Sequence, residues 1–208
     1  MGTKERRLRE KKQRKLHILN AANELFRKQG YDTTTMPQIA EKTELALGTL
    51  YLYFPSKDAL YTALLLEGYE AMLKALRAAR ASVSRKAPRI QFEALLDAFF
   101  EFARTYPEYF EIIFFILQKE GQRQDFLTQK ELQELWNKEQ QCKDIAIDIL
   151  KQAGHPEQDL NETVNAVWSM IGGVYFYFKG VGTEELHAVA AKAKRIICSA
   201  LFTKGRAS

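Results

Sequence analysis

The sequence predicts an all-α fold. Apolar residues recur at intervals of three and four along most of the chain, which is the spacing that places them on one face of a helix. Only 11 Gly and 5 Pro occur in 208 residues, so few positions interrupt long helices. We therefore expect about nine helices, three in a small N-terminal unit and the others in a larger C-terminal unit.

The composition argues against several classes of protein. The most apolar stretch, residues 164–178, is shorter than the roughly eighteen residues that cross a membrane, and it contains Asn165 and Ser169. Cys142 and Cys198 are too few for a disulfide framework and the histidines are scattered, so we expect no metal site and no cofactor. No nucleophile–base pair or phosphate-binding loop is visible, which argues against an enzyme. We expect a cytoplasmic protein that acts by binding.

Positive charge is concentrated at the N-terminus. Residues 1–15 hold eight cations and two anions, and residues 1–60 carry the whole net charge of +5. A basic arm of residues 1–15 in front of a small domain suits the phosphate backbone of a nucleic acid. A solubilising, disordered tail would have the same composition, so the choice depends on the nature of the domain that the arm precedes.

Residues 16–60 have the pattern of a helix-turn-helix domain. A first helix is expected over residues 16–29, where Gly30 would end it with a left-handed cap. Thr35 and Gln38 have capping-box spacing and start a second helix that reaches about residue 43. A turn at residues 44–45 leads to a third helix over about residues 46–54. Two short helices joined by a tight turn behind a longer helix make a helix-turn-helix.

The third helix has two different faces. At about 100° per residue, Leu50 and Phe54 lie close together with Leu47 near them, and we expect this side to pack inward. The small residues of the other side allow close approach to a major groove, and phenol hydroxyls on its flanks can reach the phosphate walls. The residues concerned are Gly48, Thr49 and Leu52 on the outer side, and Tyr51 and Tyr53 on the flanks.

Gly48 and the segment after the helix support the same interpretation. Gly48 costs the helix about 1 kcal/mol relative to Ala, which close contact with DNA would explain. Pro55 ends the helix and Ser56 caps the next one, where Lys57 and free N–H groups form an anion site suited to phosphate. Ordinary core packing around a turn is the alternative, and it is sufficient for Leu50 and Phe54.

The segments LFRKQGYDTTTM, QIAEKT and GTLYLYFPSKDAL, in this order and spacing, resemble the N-terminal domain of the TetR family of transcriptional regulators. The resemblance implies a homodimer that binds a palindromic operator in double-stranded DNA. It also implies a small-molecule effector bound in the larger C-terminal domain, residues 61–208. Carried over by position, it implies phosphate contacts at Thr35, Thr49, Tyr51, Tyr53 and Lys57, and base contacts at Leu47 and Gly48, with Pro37 as a further candidate.

Three departures from the family pattern affect specificity. The family usually has Ala-Gly-Val-Ser at the turn, where this chain reads TELA at residues 43–46. Glu44 thus replaces a turn glycine and adds an anion, and we expect a turn that is either strained or differently shaped. Leu47 and Pro37 stand where polar base readers are common. We therefore expect specificity to depend more on thymine-methyl contact, DNA shape and the basic arm, with a steep salt dependence.

The C-terminal residues 61–208 continue the helical pattern. The segment after Pro107 is apolar all round and should form a buried central helix, and a long polar helix is expected over residues 126–152. Aromatic side chains could line a pocket for a hydrophobic or aromatic effector, although such stripes are more often ordinary core. The candidate ligand-binding residues are Phe99, Phe102, Phe110, Phe114, Trp136, Trp168, Tyr175 and Phe176.

The last two helices each carry a stripe that suits subunit association. The resemblance places a dimer here, as a four-helix bundle with two helices from each chain. Core packing within one chain is the alternative for part of each stripe. The stripes are Val164, Val167, Trp168, Ile171, Gly172 and Tyr175 in one helix, and Leu186, Val189, Ala190, Ala193, Ile197, Ala200 and Leu201 in the other.

Together these features predict a ligand-responsive transcriptional regulator. The expected form is a homodimeric repressor that binds a palindromic operator and is released by a hydrophobic small molecule. The alternative is a ligand-independent or architectural DNA-binding protein with weak sequence specificity, which the missing polar base readers would favour.

Overall fold

The computed structural model describes residues 3–118, 128–178 and 183–202. It confirms the all-α prediction, because these residues form nine α-helices and no strand. A one-turn 3-10 helix, Glu157–Asp159, precedes the eighth helix. The helices are α1 (Thr3–Gln29), α2 (Met36–Lys42), α3 (Leu47–Tyr53), α4 (Lys57–Ser82), α5 (Pro88–Thr105), α6 (Pro107–Gln118), α7 (Gln129–Gln152), α8 (Leu160–Phe178) and α9 (Thr183–Phe202).

The chain divides into two compact units. The first contains Met1–Gly68 and Glu111–Glu134, and the second contains Tyr69–Phe110 and Leu135–Ser208. The helix-turn-helix segment lies wholly within the first unit, and α5, α8 and α9 lie within the second.

Helix α1 is longer than the prediction. It begins at Thr3, not near residue 16, so the basic segment is helical and the disordered-tail alternative is wrong for the described residues. Lys, Arg, Glu and Gln are good helix formers, and Arg6 pairs with Glu10 one turn away, with 2.8 Å between Nε and Oε1. Hydrophobic periodicity missed this extension because residues 4–17 are all exposed and no apolar face marks the helix.

The core of the first unit comes from one side of each helix. Ile18, Ile39, Leu50 and Leu60 are fully buried, and they come from α1, α2, α3 and α4 in turn. Gly30 ends α1 with φ +87°, as its position predicted. The predicted capping box at the start of α2 is also present, since Thr35 accepts from the Gln38 backbone and Gln38 accepts from the Thr35 backbone.

The core of the second unit includes α5, α8 and α9. These helices pack against one another, and Phe99 and Ile171 are nearly inaccessible to solvent. Helix α6 is buried at each described apolar position from residue 110 to 114, as predicted; the side chains of residues 115–118 lie outside the described set. The expected start of α7 near residue 126 and the break at residues 180–182 also lie outside it. Among the described helices, none is long and apolar enough to span a membrane.

Candidate nucleic-acid interface and C-terminal core

Lys57 holds the loop between α1 and α2. Its Nζ lies 2.7 Å from the carbonyl oxygen of Tyr31 and 2.9 Å from that of Thr34, with the carbonyl of Asp32 at 3.4 Å. The same ammonium lies 4.2 Å from the centroid of the Tyr31 ring. The phosphate contact predicted for Lys57 stays a prediction, because in this conformation its N–H groups point at the loop carbonyls.

The loop in turn presents Thr35 at the start of α2. Gln29 Nε2 donates to Gln38 Oε1 at 3.0 Å, which ties the end of α1 to the capping box. The Tyr31 hydroxyl donates to the Asp58 carboxylate of α4. Thr35 is exposed and its hydroxyl caps α2. The residue predicted to contact phosphate therefore lies at the N-terminus of a helix.

The turn between α2 and α3 is a Schellman motif with glutamate at the glycine position. The Leu45 N–H donates to the Ala40 carbonyl at 2.9 Å, and the Glu44 N–H donates to the Glu41 carbonyl at 3.0 Å. Glu44 has φ +55°, while the glycines at equivalent helix ends, Gly30 and Gly154, have φ +87° and +86°. The expected strain at Glu44 is therefore present, since a side chain in this conformation costs about 1–2 kcal/mol.

The residues of α3 by themselves favour a helix only weakly. Ala46 occupies its N-cap position and makes no side-chain cap hydrogen bond. A Cβ built on Gly48 would meet nothing within 4 Å, so packing inside this chain does not require glycine there. The helix is instead held by burial of Leu50 and Phe54, which are 0% and 3% exposed.

The outer face of α3 is apolar and open. Leu50 and Phe54 pack inward as predicted, but the expectation that Leu47 does so was wrong, because it is 39% exposed in the first turn. Leu52 is 84% exposed and lies opposite Leu50 and Phe54 on the helix. The remaining predicted contact residues of α3 all reach its surface, with Gly48 and Tyr51 exposed and Thr49 and Tyr53 half-buried.

A basic stripe on α1 ends beside Phe54, the residue that follows α3. The spacings along α1 from Lys4 through Lys11, Lys15 and Ile18 to Ala22 are seven, four, three and four residues. The three lysines therefore lie on the same side of the helix as Ile18 and Ala22, which are buried in the core. Lys15 lies over the Phe54 ring, with 5.5 Å between Nζ and the ring centroid. The basic stripe thus ends at Lys15, beside Phe54.

One ion pair of this unit joins α1 and α2. Lys42 of α2 pairs with Glu24 of α1, with 2.8 Å between Nζ and Oε1. The hydrogen bond from Lys42 holds the pKa of the Glu24 carboxyl below its usual value. Both side chains are well exposed to solvent, so this pair adds little stability.

The second unit has a tightly packed aromatic core. The Phe99 ring centroid lies 4.8 Å from that of Trp168 and 5.2 Å from that of Phe110, in edge-to-face arrangements. Phe110 in turn lies 4.4 Å from Tyr175, and Tyr175 lies 5.8 Å from Phe176. Five of the eight candidate ligand-binding residues therefore form one cluster.

A small cavity borders this cluster. Its volume is about 30 Å³, room for one or two waters, whereas small-molecule sites usually measure about 300–1,000 Å³. An effector would therefore have to enlarge it. Its lining is apolar apart from one thiol: Leu76, Phe92, Leu95, Leu96, Phe99, Cys142, Ala146, Val164, Val167, Trp168 and Ile171.

The other candidate ligand residues lie elsewhere. Phe102 is buried, and its ring centroid lies 5.5 Å from that of Tyr106. Phe114 is buried and belongs to the first unit. Trp136 is 48% exposed on α7, and its place in an apolar ligand pocket stays a prediction. Apolar periodicity could not separate Trp136 from the core, because tryptophan is often partly exposed.

The thiol in the cavity lining is protonated at neutral pH. Burial raises the pKa of Cys142 to about 12. Its Sγ lies 4.0 Å from the carbonyl oxygen of Tyr69, the contact expected of a weak S–H donor. Cys142 therefore behaves as a small apolar residue, in agreement with the prediction of a buried thiol.

The association surface expected on α8 and α9 needs a correction. The α8 stripe that contains Val164, Trp168 and Tyr175 is buried inside the single chain, because α8 packs its longest apolar residues on α5 and α9. In α9, Ala190 and Ile197 are likewise buried. The exposed positions of α8 include small or apolar residues, which are Ala166, Ser169, Met170, Gly173 and Tyr177. Ile196 of α9 is also 57% exposed.

Comparison with known proteins agrees with these features. The family model for bacterial regulatory proteins of the TetR family matches residues 18–64. The chain is similar to the HTH-type transcriptional repressor KstR of Rhodococcus jostii, with 42% identity over 59 residues, which cover 28% of this chain and 28% of KstR. It is 35% identical to the HTH-type transcriptional regulator RutR of Escherichia coli over 95 residues, which cover 46% of this chain and 43% of RutR. The chain thus matches less than half the length of these curated relatives.

The fold likeness extends over almost the whole chain. A bacterial regulatory protein of the TetR family from Rhodococcus RHA1 superimposes with a TM-score of 0.77 at 20% identity, covering 92% of this chain and 98% of that protein. The family model matches the helix-turn-helix segment, and the fold match includes the second unit. The helix-turn-helix segment, residues 18–64, thus matches the TetR family of bacterial regulatory proteins, and the chain has the fold of a solved member of that family.

Proposed function

We propose that this protein is a homodimeric transcriptional repressor of the cytoplasm that binds a palindromic operator and is released by a hydrophobic small molecule. The observation that carries the proposal is the outer face of α3. It is open, it contains Gly48 where the chain itself needs no glycine, and exposed Tyr51 flanks it. This combination suits insertion into a major groove, with base edges read at the centre and phosphates at the sides.

The contacts with DNA divide between bases and phosphates. Leu47 and Gly48 face the bases, with Pro37 at the exposed start of α2 as a further candidate. Thr35, Thr49, Tyr51 and Tyr53 reach phosphates. Lys57 supports Thr35 by holding the preceding loop, and its own phosphate contact is the alternative that a salt titration decides.

The basic side of α1 extends the contact beyond α3. Lys4, Arg7, Lys11 and Arg14 lie within about 80° of one another on the helix, beside Lys15. A continuous helix holds these charges at fixed spacing, so fewer conformations are lost on binding than with a disordered tail. We expect these residues to contribute sequence-independent affinity that weakens with salt.

Dimerisation would occur through the exposed face of α8 together with α9. Ala166, Ser169, Met170, Gly173 and Tyr177 give α8 a flat stripe of small and apolar residues, and Ile196 adds apolar area on α9. Two-fold symmetry would then place two copies of α3 about one DNA turn, roughly 34–36 Å, apart.

An apolar effector would act through the aromatic core of the second unit. The cavity beside Phe99 and Trp168 holds only about 30 Å³, so a ligand can bind only a conformation in which this core has expanded. Helix α4 contributes residues to both units and is the natural connection. The ligand then lowers DNA affinity by its differential affinity for the expanded conformation.

The DNA part of the proposal is tested by anisotropy titrations of a fluorescent random-sequence duplex over a range of salt. Replacing Lys4, Arg7, Lys11 and Arg14 by Gln should flatten the salt slope by up to about 0.9 for each phosphate contact removed. Arg6, Arg9 and Lys12 point to other sides of α1, and the same replacement there is the matched control. Equal effects of both sets would contradict a directed basic stripe.

The effector part is tested by adding apolar and aromatic compounds to a preformed DNA complex. In the Phe99→Ala variant, a compound should no longer release the DNA, or should release it only at a different compound concentration. The DNA affinity of the variant without compound should equal that of wild type. If no such compound releases DNA, or if none binds the protein, the ligand-independent alternative gains support.

A further inference from the structure

We propose that Leu52 is the base-reading residue at the centre of α3 and that it recognises the C5-methyl group of thymine. This inference rests on the proposed DNA-binding function and deepens it by naming the feature of the base that is read. The resemblance to the family assigned no role to this position in the present chain.

Leu52 is the most exposed large apolar side chain of α3. It is 84% exposed, whereas Leu50 two positions earlier is fully buried. On the helix it lies within about 20° of the direction opposite Leu50 and Phe54. Any surface that receives the outer face of α3 therefore meets Leu52 first.

The residues next to Leu52 on the outer face of α3 are small, so Leu52 can lie at the centre of a contact with DNA. Gly48 lies one turn before it on the same side, and a Cβ there would meet nothing within 4 Å. Thr49 lies on its other side and is half-buried. The absent side chain at Gly48 lets the backbone come close to a base pair while Leu52 extends along its edge.

The chemistry of leucine selects one feature of the major groove. Leucine has no donor or acceptor, so it cannot read the hydrogen-bonding groups of guanine, cytosine or adenine. The methyl group of thymine is the apolar feature that a base pair displays there. Leu47, also apolar and 39% exposed, lies in the first turn of the same helix and extends this apolar surface.

The charge around α3 favours DNA over an apolar protein partner. Lys15 lies 5.5 Å from the Phe54 ring centroid at the end of the α3 segment, and the basic side of α1 continues from it. A polyanion is attracted to such surroundings.

The test uses a duplex enriched from a random pool by the purified full chain. Each thymine is replaced in turn by uracil, which removes the C5-methyl group and keeps every hydrogen-bonding group. Wild-type protein should lose about fourfold in affinity at one thymine of each half-site, the factor expected for one methyl-sized contact. Leu52→Ala should bind the thymine duplex about as weakly as wild type binds the uracil duplex, and should not respond to uracil at that position.

Leu8→Ala is the matched control. Leu8 is 71% exposed on α1, so the change removes a similarly accessible leucine from outside α3 and should leave the uracil response as in wild type. Because Leu52 is so exposed, Leu52→Ala should unfold at the same temperature as wild type or higher, which circular dichroism checks.

The outcomes separate this inference from the proposed function. An enriched sequence whose affinity ignores every uracil replacement would overturn the methyl contact and leave sequence-specific binding intact. A uracil response that persists unchanged in Leu52→Ala would assign the contact to another residue, and so also overturn it. Retention of DNA without any enriched sequence would overturn the inference together with sequence-specific repression, and absence of binding would overturn the proposed function itself.

Discussion

The ammonium of Lys57 donates a hydrogen bond to the backbone carbonyl of Tyr31, with 2.7 Å between Nζ and O. The carbonyl of Thr34 accepts a second hydrogen bond from the same group at 2.9 Å. One side chain at the start of α4 thus fixes the loop that ends in the N-cap of α2. The position of the helix-turn-helix depends on this charge, although the sequence suggests only a phosphate contact.

Lys57→Met should therefore lower the free energy of unfolding by about 1–3 kcal/mol, since half-buried carbonyls lose a charged donor. DNA affinity should fall while the salt slope stays unchanged, because no phosphate contact is removed. Chemical denaturation and salt titrations measure the two effects. Lys42→Met is the control, and it should cost less than about 1 kcal/mol because Lys42 pairs with exposed Glu24. A slope reduced by about 0.9 would show that Lys57 contacts phosphate.

Gly48→Ala should change stability and DNA affinity in opposite directions. The added methyl group meets nothing within 4 Å and alanine favours helix, so the free energy of unfolding should rise by up to about 1 kcal/mol. DNA affinity should fall, because the methyl group prevents close approach to the base pairs. Thermal unfolding and anisotropy check these two effects, and a variant that binds DNA as tightly as wild type would contradict the placement of Gly48 against the bases.

Glu44 combines an unfavourable backbone conformation with a negative charge beside α3. Glu44→Gly should raise the free energy of unfolding by about 1 kcal/mol, because glycine adopts φ +55° without a clash. It should also raise DNA affinity at low salt by removing an anion. Glu44→Gln is the matched variant: it keeps the Cβ and removes the charge, so it should raise affinity without raising stability. If both variants raise the free energy of unfolding equally, then the charge of Glu44, and not its backbone strain, destabilises the protein.

Gly173 tests the reassigned dimer surface. A Cβ at Gly173 meets nothing within 4 Å in the single chain, so Gly173→Arg should leave the helical circular dichroism unchanged. If the exposed α8 stripe pairs with a second copy, the buried charge should shift the protein to monomer and weaken operator binding. Analytical ultracentrifugation measures the shift. Asn161→Arg, an exposed α8 position outside the stripe, should remain dimeric, and a dimeric Gly173→Arg would exclude this face.

The buried thiol of Cys142 predicts a loss of stability in alkali. Its pKa is about 12 in the folded chain against an ordinary value of 9.0, so the stabilising effect is complete below pH 9 and is lost as pH rises towards 12. At one pH unit above the unfolded value, the unfolded chain gains about 1.4 kcal/mol from this ionisation. Urea unfolding at pH 8 and pH 10 should show a drop that Cys142→Ala reduces by this amount. An equal drop in both proteins would assign it to other groups.

Local signals were sufficient for most of the helix-turn-helix. The Thr35–Gln38 capping box, the glycine cap at Gly30 and the inward pair Leu50 and Phe54 are properties of neighbouring residues, and the structure confirms them. The replacement of a turn glycine by Glu44 predicted a strained or differently shaped turn, and the φ of +55° at Glu44 agrees with strain.

Features that depend on tertiary packing were harder to predict. The α8 stripe with Trp168 and Tyr175 has the same spacing whether it faces its own core or a second subunit, and only the fold decides. In the sequence, Lys57 cannot be distinguished from any other surface cation. Its partners, the loop carbonyls of residues 31–34, come next to it only in the folded chain. The helical N-terminal extension has no apolar face, so periodicity gave no sign of it.

Selection from a random duplex pool by the purified protein at about 0.15 M salt, a physiological ionic strength, tests sequence-specific DNA binding most directly. We predict enrichment of a palindrome whose half-sites are about 10 base pairs apart, as two copies of α3 on one side of the duplex require. Each half-site should contain a position at which thymine is preferred over the other bases. Retention of DNA without a common sequence would contradict this prediction and would identify an architectural protein whose apolar α3 does not discriminate between bases.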